Sequence, residues 1–310
     1  MTDAQRVLIL GHGAMGSVFE TLLADHDLVI WERDPDSGEE SCPLETAGRD
    51  RQVVLFALPA FPHRELAERL AGQLPEDAVC LSIAKGLDAD GRTPAQVFEG
   101  VFDDRLAWGM ICGPMIARDL QSGRAGFAAL ASGSERGRKA AGLFARTRLY
   151  LDPIEDVHGA AWSVILKNVF VPMVGAADSL EMGDNMRGFL LAEALAELAR
   201  IVEDRGGRRA TAYGPAGLGD LATTATSESS HHRGLGARLA GGEHDRLDEE
   251  GEYIRSEGLH AVQRVREFRL LPRGRYPLFD LATDFLDGAV TLREGLDRYL
   301  GDRFGRPIGS

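Results

Sequence analysis

The chain has 310 residues, and its 35 basic and 48 acidic side chains give a formal net charge of −13. Hydrophobic residues make up 44% and charged residues 27% of the sequence, a composition typical of a folded globular protein that excludes a disordered chain. The acidic balance argues against a nucleic-acid partner. The length predicts about two domains.

The three cysteines, Cys42, Cys80 and Cys112, are widely spaced. No pair has the spacing of a metal finger or a redox motif, which favours a reduced, cytoplasmic protein. The first six residues lack the architecture of a signal peptide. We find no apolar run near the roughly 20 residues that span a bilayer. We therefore expect a cytoplasmic protein without membrane insertion.

Short apolar segments alternate with helical segments through the first half of the sequence. The strand candidates are residues 6–10, 28–31, 53–58, 78–83 and 106–111, and the clearest helix candidates are 18–24 and 64–71. Continuous apolar strands that alternate with helices predict a parallel sheet covered on both faces. The fold class is therefore α/β, with an N-terminal Rossmann-type, doubly wound parallel sheet.

A glycine motif follows the first strand candidate at once. Gly11, Gly13 and Gly16 form G-x-G-x-x-G, with Ala14 and Met15 inside it. Gly11 would allow the tight turn, Gly13 would let a pyrophosphate approach the backbone, and Gly16 would permit close packing of helix on sheet. Because the motif lies between a strand and a helix, it predicts dinucleotide binding.

The end of the second strand bears on the choice of cofactor. Glu32 could accept hydrogen bonds from the ribose hydroxyls, which favours NAD. Arg33 could instead pair with the 2′-phosphate of NADP. Either residue could also be a solvated strand end, so the sequence predicts NAD or NADP without choosing between them.

Helical periodicity replaces the strand pattern after about residue 153. Leu191, Leu195, Leu198 and Val202 recur with the spacing of one helix face. We therefore predict a dinucleotide-binding domain over 1–153, followed by an all-α substrate and catalytic domain over 154–310.

A lysine and an asparagine interrupt an apolar helix candidate over 160–171. The helix is apolar all round, which predicts burial, and Pro172 lies near its end. Burial disfavours the charged form of a lysine, which is how enzymes obtain a lysine acid or base near neutral pH. Lys167 is therefore a candidate catalytic residue, and Asn168 is the polar residue that adjoins it. The alternative is a lysine whose ammonium reaches the surface.

A polar cluster follows at 217–233. Asp220 could cap a helix, or the cluster could hydrogen-bond a polyol and its phosphate. His231 and His232 are adjacent and point in different directions, which argues against paired metal ligation, and we predict no metal site. The common hydrolase and kinase motifs do not occur in the sequence.

Taken in order, the segments resemble the NAD(P)-dependent glycerol-3-phosphate dehydrogenases of bacteria. The resemblance covers most of the chain. The matching segments are 11–16, 82–87 (S-x-x-K-G-L), 112–117 (family S-G-P-S/T-x-A), 166–169, 183–185, 217–221 and 256–258.

The resemblance implies hydride transfer between the nicotinamide and the C2 carbon that links dihydroxyacetone phosphate and sn-glycerol 3-phosphate. Lys167 would be the general acid/base and would stabilise the C2 oxyanion. The implied substrate contacts are Lys85, Gly113, Asn168, Asp220, Thr224 and the 230–233 segment. The implied cofactor contacts are the glycine loop, Lys85, Ala117 and Glu257.

The sequence departs from the family in three ways. Ser230-His231-His232 stands where the family has Ser-Arg-Asn, and that arginine usually grips the substrate phosphate. A neutral histidine cannot form the same bidentate fork, but Arg233 could supply the charge after a small backbone shift. Met115 and Met15 replace a hydroxyl residue and a tryptophan of the family. Residues 34–50 form a short polar bridge where the family has a longer, helix-containing segment.

The leading hypothesis is thus an enzyme of this family that supplies glycerol 3-phosphate for glycerophospholipid synthesis. One alternative is a ketopantoate reductase-like enzyme acting on another small 2-keto substrate, suggested by His231 and His232. Another is a cofactor-binding protein without turnover, which the joint retention of the two lysines, Asn168 and Asp220 disfavours. The expected partner is a small phosphorylated substrate, and apolar helix faces are compatible with a homodimer.

Overall fold

One seven-stranded sheet organises the first half of the chain. The computed structural model describes residues 4–33, 42–242 and 254–306, without the side chains of 254–257. Within it the sheet has the spatial order β2-β1-β3-β4-β5-β6-β7. The strands are β1 (Arg6–Leu10), β2 (Asp27–Trp31), β3 (Val53–Phe56), β4 (Val79–Ser82), β5 (Ala107–Cys112), β6 (Gly126–Ala131) and β7 (Leu149–Ile154).

The predicted α/β fold class is confirmed, with a difference at one end of the sheet. Strands β1 to β5 are parallel and correspond to the five predicted strands. Strands β6 and β7 were not predicted, and β6 runs antiparallel to β5 while β7 runs parallel to β6. The sequence of β6, Gly-Phe-Ala-Ala-Leu-Ala, has no β-branched residue, so it lacks the usual strand signal.

Helices cover both faces of this sheet. They are α1 (Ala14–Leu22), α2 (Leu44–Gly48), α3 (His63–Ala71), α4 (Pro94–Phe102), α5 (Ala117–Gln121) and α6 (Glu135–Lys139), and a short 3₁₀ helix spans Ala140–Phe144. Successive residues of a strand point to opposite faces. Val7 and Ile9 accordingly belong to one apolar core, and Leu8 and Leu10 to the other. The central strands β1, β3, β4 and β5 are therefore buried on both sides, as their continuous apolar sequences require, whereas β7 at the edge is partly exposed.

The expected short bridge after β2 contains a helix of its own. Residues 34–41 lie outside the described part of the chain. After them, α2 buries Leu44 and Ala47 against the core that contains Leu8 and Leu10. The shortened segment thus contributes apolar packing as well as polar residues.

The second half of the chain is helical, as predicted, and its described residues after Ile154 contain no strand. The chain divides into two compact units, Met1–Ala161 and Trp162–Ser310, so the division falls inside a helix a few residues beyond 153. The helices are α7 (Val157–Ser179), α8 (Asp184–Asp204), α9 (Asp220–Thr226), α10 (His231–Ala240), α11 (Ile254–Glu267), α12 (Pro277–Leu286) and α13 (Leu292–Phe304). A 3₁₀ helix (Arg209–Tyr213) and a π-helical turn (Pro215–Gly219) precede α9.

Helix α7 is longer than the sequence predicted. It continues to Ser179, although Pro172 was expected near its end. Proline cannot donate to the carbonyl four residues earlier, so Pro172 removes the helical bond to Asn168. By length and composition, α7 is apolar enough to cross a membrane, which corrects our expectation that no run approached that length. Its most apolar 18-residue window is entirely buried, as in the core helix of a globular protein.

The buried face of α8 is rotated from the predicted one. Leu198 and Val202 are buried as expected, but Leu191 and Leu195 are only partly buried. Glu197 shares the buried face and accepts hydrogen bonds from the backbone N–H groups of Leu278 and Phe279 at the start of α12. Burial raises the pKa of Glu197 to about 7. A polar residue that caps another helix thus lies on the buried face of α8, beside the predicted apolar residues.

His63 is a buried titratable group in the core of the first unit. The imidazole is the first side chain of α3, is fully buried, and packs against the rings of Phe56 and Phe98. Burial lowers the pKa of His63 from 6.5 to about 4. The unfolded chain therefore takes up a proton at this residue before the folded chain does.

We predict that His63→Phe makes the stability of the protein less sensitive to acid. Between pH 6.5 and pH 4 the unfolded wild type binds the additional proton, so its free energy of unfolding falls as the pH is lowered, by up to about 3 kcal/mol. The phenylalanine variant lacks this contribution. Urea unfolding of both proteins at pH 7, 5.5 and 4.5 measures the difference, and parallel pH profiles would contradict the assignment.

Candidate functional site

The glycine motif lies at the point where the direction of the strand order reverses. Strand β1 has β2 on one side and β3 on the other, and the chain crosses from β2 to β3 through α2. The motif joins the carboxyl end of β1 to α1, which begins at Ala14. In open α/β sheets this is the crevice where nucleotides bind, with the phosphates at the helix N-terminus.

The three glycines of the motif meet different surroundings. Gly11 has φ of +89°, and a Cβ there would lie 2.9 Å from the carbonyl oxygen of Ala57. A Cβ on Gly16 would lie 2.1 Å from the carbonyl oxygen of Gly11. A Cβ on Gly13 would meet nothing within 4 Å. Folding alone therefore requires Gly11 and Gly16, while Gly13 and the neighbouring exposed Ala14 leave room for a pyrophosphate beside the backbone.

The two residues considered for cofactor choice have different partners. Oε1 of Glu32 accepts a hydrogen bond from the backbone N–H of His12 at 3.2 Å, which holds the carboxylate against the glycine loop. Arg33 pairs with Glu65 across 2.6 Å, and both side chains are about half exposed. Exposed pairs of this kind contribute little free energy, so the Arg33 pair does not prevent a phosphate from binding there. Both residues thus lie at the edge of the sheet that carries the glycine loop.

The other sequence-predicted residues of the first unit follow neighbouring strands at this edge. Lys85 follows β4 and is half-buried, and Gly113 follows β5. Gly113 has φ of +157°, and a Cβ there would lie 2.6 Å from the carbonyl oxygen of Phe127. Ala117 begins α5, and Met115 is buried in the apolar core beneath it. The carboxyl ends of β1, β2, β4 and β5 thus carry the candidate ligand contacts of this unit.

In the second unit, the structure brings together three of the predicted residues. Nζ of Lys167 donates a hydrogen bond to Oγ1 of Thr224 at 2.9 Å and lies 3.5 Å from Oδ2 of Asp220. The side chains of Lys167 and Asp220 are only 5% and 4% exposed. The surface alternative for Lys167 is therefore wrong. Asp220 is the first residue of α9 and does not cap it, because the N-cap is Gly219.

Asn168 lies next to this lysine at a close helix crossing. A Cβ on Gly258 of α11 would lie 2.8 Å from the carbonyl oxygen of Asn168 and 3.8 Å from Nδ1 of His232. Asn168 itself is fully buried. The glycine of the 256–258 segment therefore lets α11 approach the backbone of α7 beside Lys167. The side chain of Glu257 lies outside the described part of the chain.

The Ser230-His231-His232 segment forms the start of α10. Oγ of Ser230 accepts the backbone N–H of Arg233 at 3.2 Å and so caps the helix. His231 is exposed and His232 is buried, so the two side chains point in different directions. Among the described residues no cluster of His, Cys, Asp and Glu could hold a metal ion.

Arg233 binds a carboxylate of α7. Its Nη2 and Nε atoms lie 2.9 and 3.2 Å from Oδ2 of Asp178. Arg187 of α8 binds the other oxygen of the same carboxylate at 2.7 Å. Asp178 is three helical turns from Lys167, on the same side of α7, which is about 16 Å along the axis. Sequence reasoning missed Asp178, because nothing local marks a carboxylate whose two partners come from other helices.

Fold and site together define a class of protein, a dehydrogenase with a dinucleotide-binding unit and a helical unit that carries a buried, ion-paired lysine. The family profile "NAD-dependent glycerol-3-phosphate dehydrogenase N-terminus" matches residues 39–137, and its C-terminal counterpart matches residues 156–297. Together the two matches span more than half of the chain. The protein belongs to the NAD-dependent glycerol-3-phosphate dehydrogenase family, and it is therefore an oxidoreductase whose cofactor is NAD or NADP.

Individual relatives agree with this membership. The glycerol-3-phosphate dehydrogenase [NAD(P)+] of Dechloromonas aromatica is 28% identical over 95% of this chain and 97% of its own. The crystal structure of glycerol-3-phosphate dehydrogenase from Coxiella burnetii matches with a TM-score of 0.84 at 22% identity, covering 96% of this chain and 99% of its own. A ketopantoate reductase from Ralstonia eutropha, at 17% identity over 91% of this chain and 99% of its own, reaches a TM-score of only 0.53. The family matches, and not this fold likeness, favour a glycerol-3-phosphate dehydrogenase over the ketopantoate reductase-like alternative.

We predict opposite effects of alanine at two glycines of the loop. Gly16→Ala should lower the free energy of unfolding by about 1–3 kcal/mol or more, because its Cβ would collide with backbone. Gly13→Ala should leave stability unchanged or raise it by about 0.5 kcal/mol, yet weaken NADH or NADPH binding at least tenfold by filling the space beside the loop. Urea unfolding and nucleotide fluorescence titration measure the two effects. Unchanged nucleotide affinity in Gly13→Ala would show that the ligand does not approach this glycine.

Proposed function

We propose that this protein interconverts dihydroxyacetone phosphate and sn-glycerol 3-phosphate, with NADH or NADPH as the reductant. The observation that carries the proposal is the buried cluster of Lys167, Asp220 and Thr224 in the helical unit of a glycerol-3-phosphate dehydrogenase family member. Retention of this lysine with its carboxylate partner also speaks against a cofactor-binding protein without turnover.

Lys167 supplies the proton in this scheme. Reduction adds a hydride to C2 of the ketone, and the carbonyl oxygen becomes an alkoxide that needs one proton to become the product hydroxyl. The Nζ ammonium gives that proton and, before doing so, stabilises the developing negative charge. In the reverse direction the neutral amine takes the proton from the C2 hydroxyl.

Asp220 and Thr224 hold the lysine in place for this proton transfer. An isolated ammonium buried in an apolar helix would be strongly destabilising, and the Asp220 carboxylate offsets that cost. Thr224 lies one turn further along α9 and accepts one of the three ammonium N–H groups. In the proposed complex the ammonium donates to the C2 oxygen of the substrate, and Asn168, next in sequence, is the candidate to orient the adjacent hydroxyl.

The residues of the first unit fit a nicotinamide dinucleotide, which supplies or accepts the hydride when bound. Gly13 and the N-terminus of α1 would receive the pyrophosphate. Glu32 would bind the adenosine ribose, and Arg33 would bind a 2′-phosphate if NADP is used. Lys85 and Ala117 would hold the nicotinamide end, and Glu257 is a further candidate cofactor contact.

The phosphate of the substrate needs a cation that the family arginine usually provides. Ser230, His231 and His232 are candidate contacts at the start of α10, where the imidazoles replace that arginine. Arg233 is the candidate for the missing charge. Its pairing with Asp178 leaves the Arg233 side chain 32% exposed. Asp178 lies about 16 Å along α7 from Lys167, so Arg233 would reach the phosphate of a substrate held at Lys167 only after leaving this carboxylate and turning back along α7.

The proposal extends to the location, the metabolic role and the oligomeric state of the enzyme. We propose that the enzyme is cytoplasmic and that it supplies glycerol 3-phosphate for glycerophospholipid synthesis. We also propose a homodimer, because the helical unit exposes apolar side chains such as Phe304 and Leu218, which are 57% and 42% exposed. Sedimentation velocity over a range of protein concentrations tests this state, and a single monomeric species throughout would exclude it.

A matrix of substrates and cofactors tests the proposed reaction. Purified protein should oxidise NADH or NADPH when dihydroxyacetone phosphate is added, and the loss of reduced-nucleotide absorbance follows this directly. Ketopantoate should give no turnover. Turnover with ketopantoate or another keto acid, but not with dihydroxyacetone phosphate, would refute the proposed substrate.

We predict that Lys167→Ala lowers kcat by at least about 100-fold, the usual contribution of a general acid, and leaves nucleotide affinity nearly unchanged. Because the variant leaves Asp220 buried without its ammonium partner, Lys167→Met combined with Asp220→Asn serves as a charge-balanced second test. Lys139→Ala is the matched control, since Lys139 is 74% exposed and pairs with Glu135 one turn away. A large loss of nucleotide binding in the Lys167 variants would show that this residue has another role.

We predict that Arg233→Ala raises the KM for dihydroxyacetone phosphate about tenfold, the value of one charge-assisted hydrogen bond. Arg187→Ala is the control, because it also removes one partner of Asp178 but should leave KM unchanged. Arg233→Lys should recover part of the affinity. Equal effects of the two alanine substitutions would mean that Arg233 acts on substrate binding only by supporting α7.

A further inference from the structure

His63 connects two turns at the carboxyl edge of the sheet. Its Nδ1 atom lies 2.8 Å from the carbonyl oxygen of Pro59, in the turn that follows β3. Its Nε2 atom lies 2.7 Å from Oγ of Ser82, the last residue of β4. Oγ of Ser82 also receives the backbone N–H of Ala84 at 3.1 Å. Two turns that flank the candidate cofactor edge are thus tied together by one buried side chain.

The donor and the acceptor of each hydrogen bond among Pro59, His63, Ser82 and Ala84 follow from the chemistry of the groups. The carbonyl of Pro59 can only accept, so Nδ1 of His63 carries the proton and Nε2 is the acceptor. Ser82 therefore donates its hydroxyl proton to Nε2 and accepts from the N–H of Ala84. One neutral tautomer satisfies all four groups. The low pKa of His63, about 4, keeps that tautomer in place at neutral pH.

The next residue of α3 ties down the other end of the same segment. Nη2 of Arg64 lies 2.8 Å from Oδ2 of Asp88, whose side chain is 3% exposed. Oδ1 of Asp88 accepts the backbone N–H groups of Asp90 and Arg92. His63 and Arg64, adjacent in the first turn of α3, therefore hold the segment 82–88 at both ends. Lys85 lies at its centre.

We propose that His63 and Ser82, together with Arg64 and Asp88, form a clamp that positions Lys85 for the substrate and cofactor. The four are positioning residues, because they act through Lys85 and none is proposed to touch the reacting atoms. This inference rests on the proposed function for the role of Lys85, although the clamp itself is independent of any activity. The clamp makes α3 necessary for the position of Lys85, although α3 carries none of the candidate ligand contacts.

Substitutions at His63 separate the two hydrogen bonds of the clamp. His63→Phe retains a ring in the apolar pocket but removes both bonds, and we expect the KM for dihydroxyacetone phosphate to rise about five- to tenfold. His63→Gln can still accept from Ser82 and should return KM to within about twofold of wild type, by the same free-energy relation. His63→Asn reaches only the position of Nδ1 and should not. Ser82→Ala, a small change that preserves the fold, should reproduce the effect of His63→Phe.

A control distinguishes positioning from a general loss of stability. Phe102→Leu alters the same buried aromatic cluster, through the contact of Phe102 with Phe98, but removes no bond to the 82–88 segment. Matched to His63→Phe by thermal unfolding, it should leave KM unchanged. An equal rise of KM in Phe102→Leu, or no rise in both His63→Phe and Ser82→Ala, would overturn the proposal.

Amide hydrogen exchange tests the clamp independently of turnover. The amide of Ala84 should exchange at least tenfold faster in His63→Phe and Ser82→Ala than in wild type, and should be unchanged in Phe102→Leu. If wild type does not reduce dihydroxyacetone phosphate but the exchange rates change as expected, the proposed function fails and the clamp stands. If the wild type is active and exchange at Ala84 is unaffected, the clamp fails and the proposed function stands.

Discussion

The burial of one ammonium group is the constraint on which the helical unit depends. Helix α7 is apolar on all sides, and an unpaired charge inside it would cost several kcal/mol. The unit therefore has to bring a carboxylate to Lys167, and Asp220 does so from the first turn of α9. The approach to α9 is close, since a Cβ on Gly217 in the preceding π-helical turn would lie 2.0 Å from the carbonyl oxygen of Ala212. The turn that leads into α9 therefore requires a glycine at position 217.

The sequence predicted the parts of the fold that repeat an apolar pattern locally. Strands β1 to β5 and the long apolar helix were found because their burial shows in consecutive residues. Strand β6 was missed because alanine and glycine carry little strand signal. The extension of α7 past Pro172 was missed because packing on all sides compensates the lost hydrogen bond, and packing is not visible in local sequence.

The candidate site shows the same difference between features visible in the local sequence and contacts between distant residues. The glycine loop and the unusual position of Lys167 could be recognised from the sequence, since each departs from its local pattern. The family resemblance named Thr224 as a substrate contact, but nothing in the local sequence showed that it bonds Lys167, 57 residues away, or that Asp178 bonds Arg233, 55 residues away. Only the folded structure shows that Lys167, Arg33 and Arg233, the cations considered for ligand binding, are each paired with a carboxylate. The three cations differ in burial. Lys167 is enclosed with Asp220, whereas the side chains of Arg33 and Arg233 are partly exposed.

The unequal surroundings of the three loop glycines bear on how such a protein can change over evolutionary time. A descendant that no longer used a nucleotide would still need Gly11 and Gly16 to close its backbone, so both would persist under selection for stability alone. Gly13 would be released and would drift, since any small side chain fits there. The presence of the first and last glycines of the motif therefore indicates the fold, whereas retention of the middle glycine indicates that the protein still binds its nucleotide.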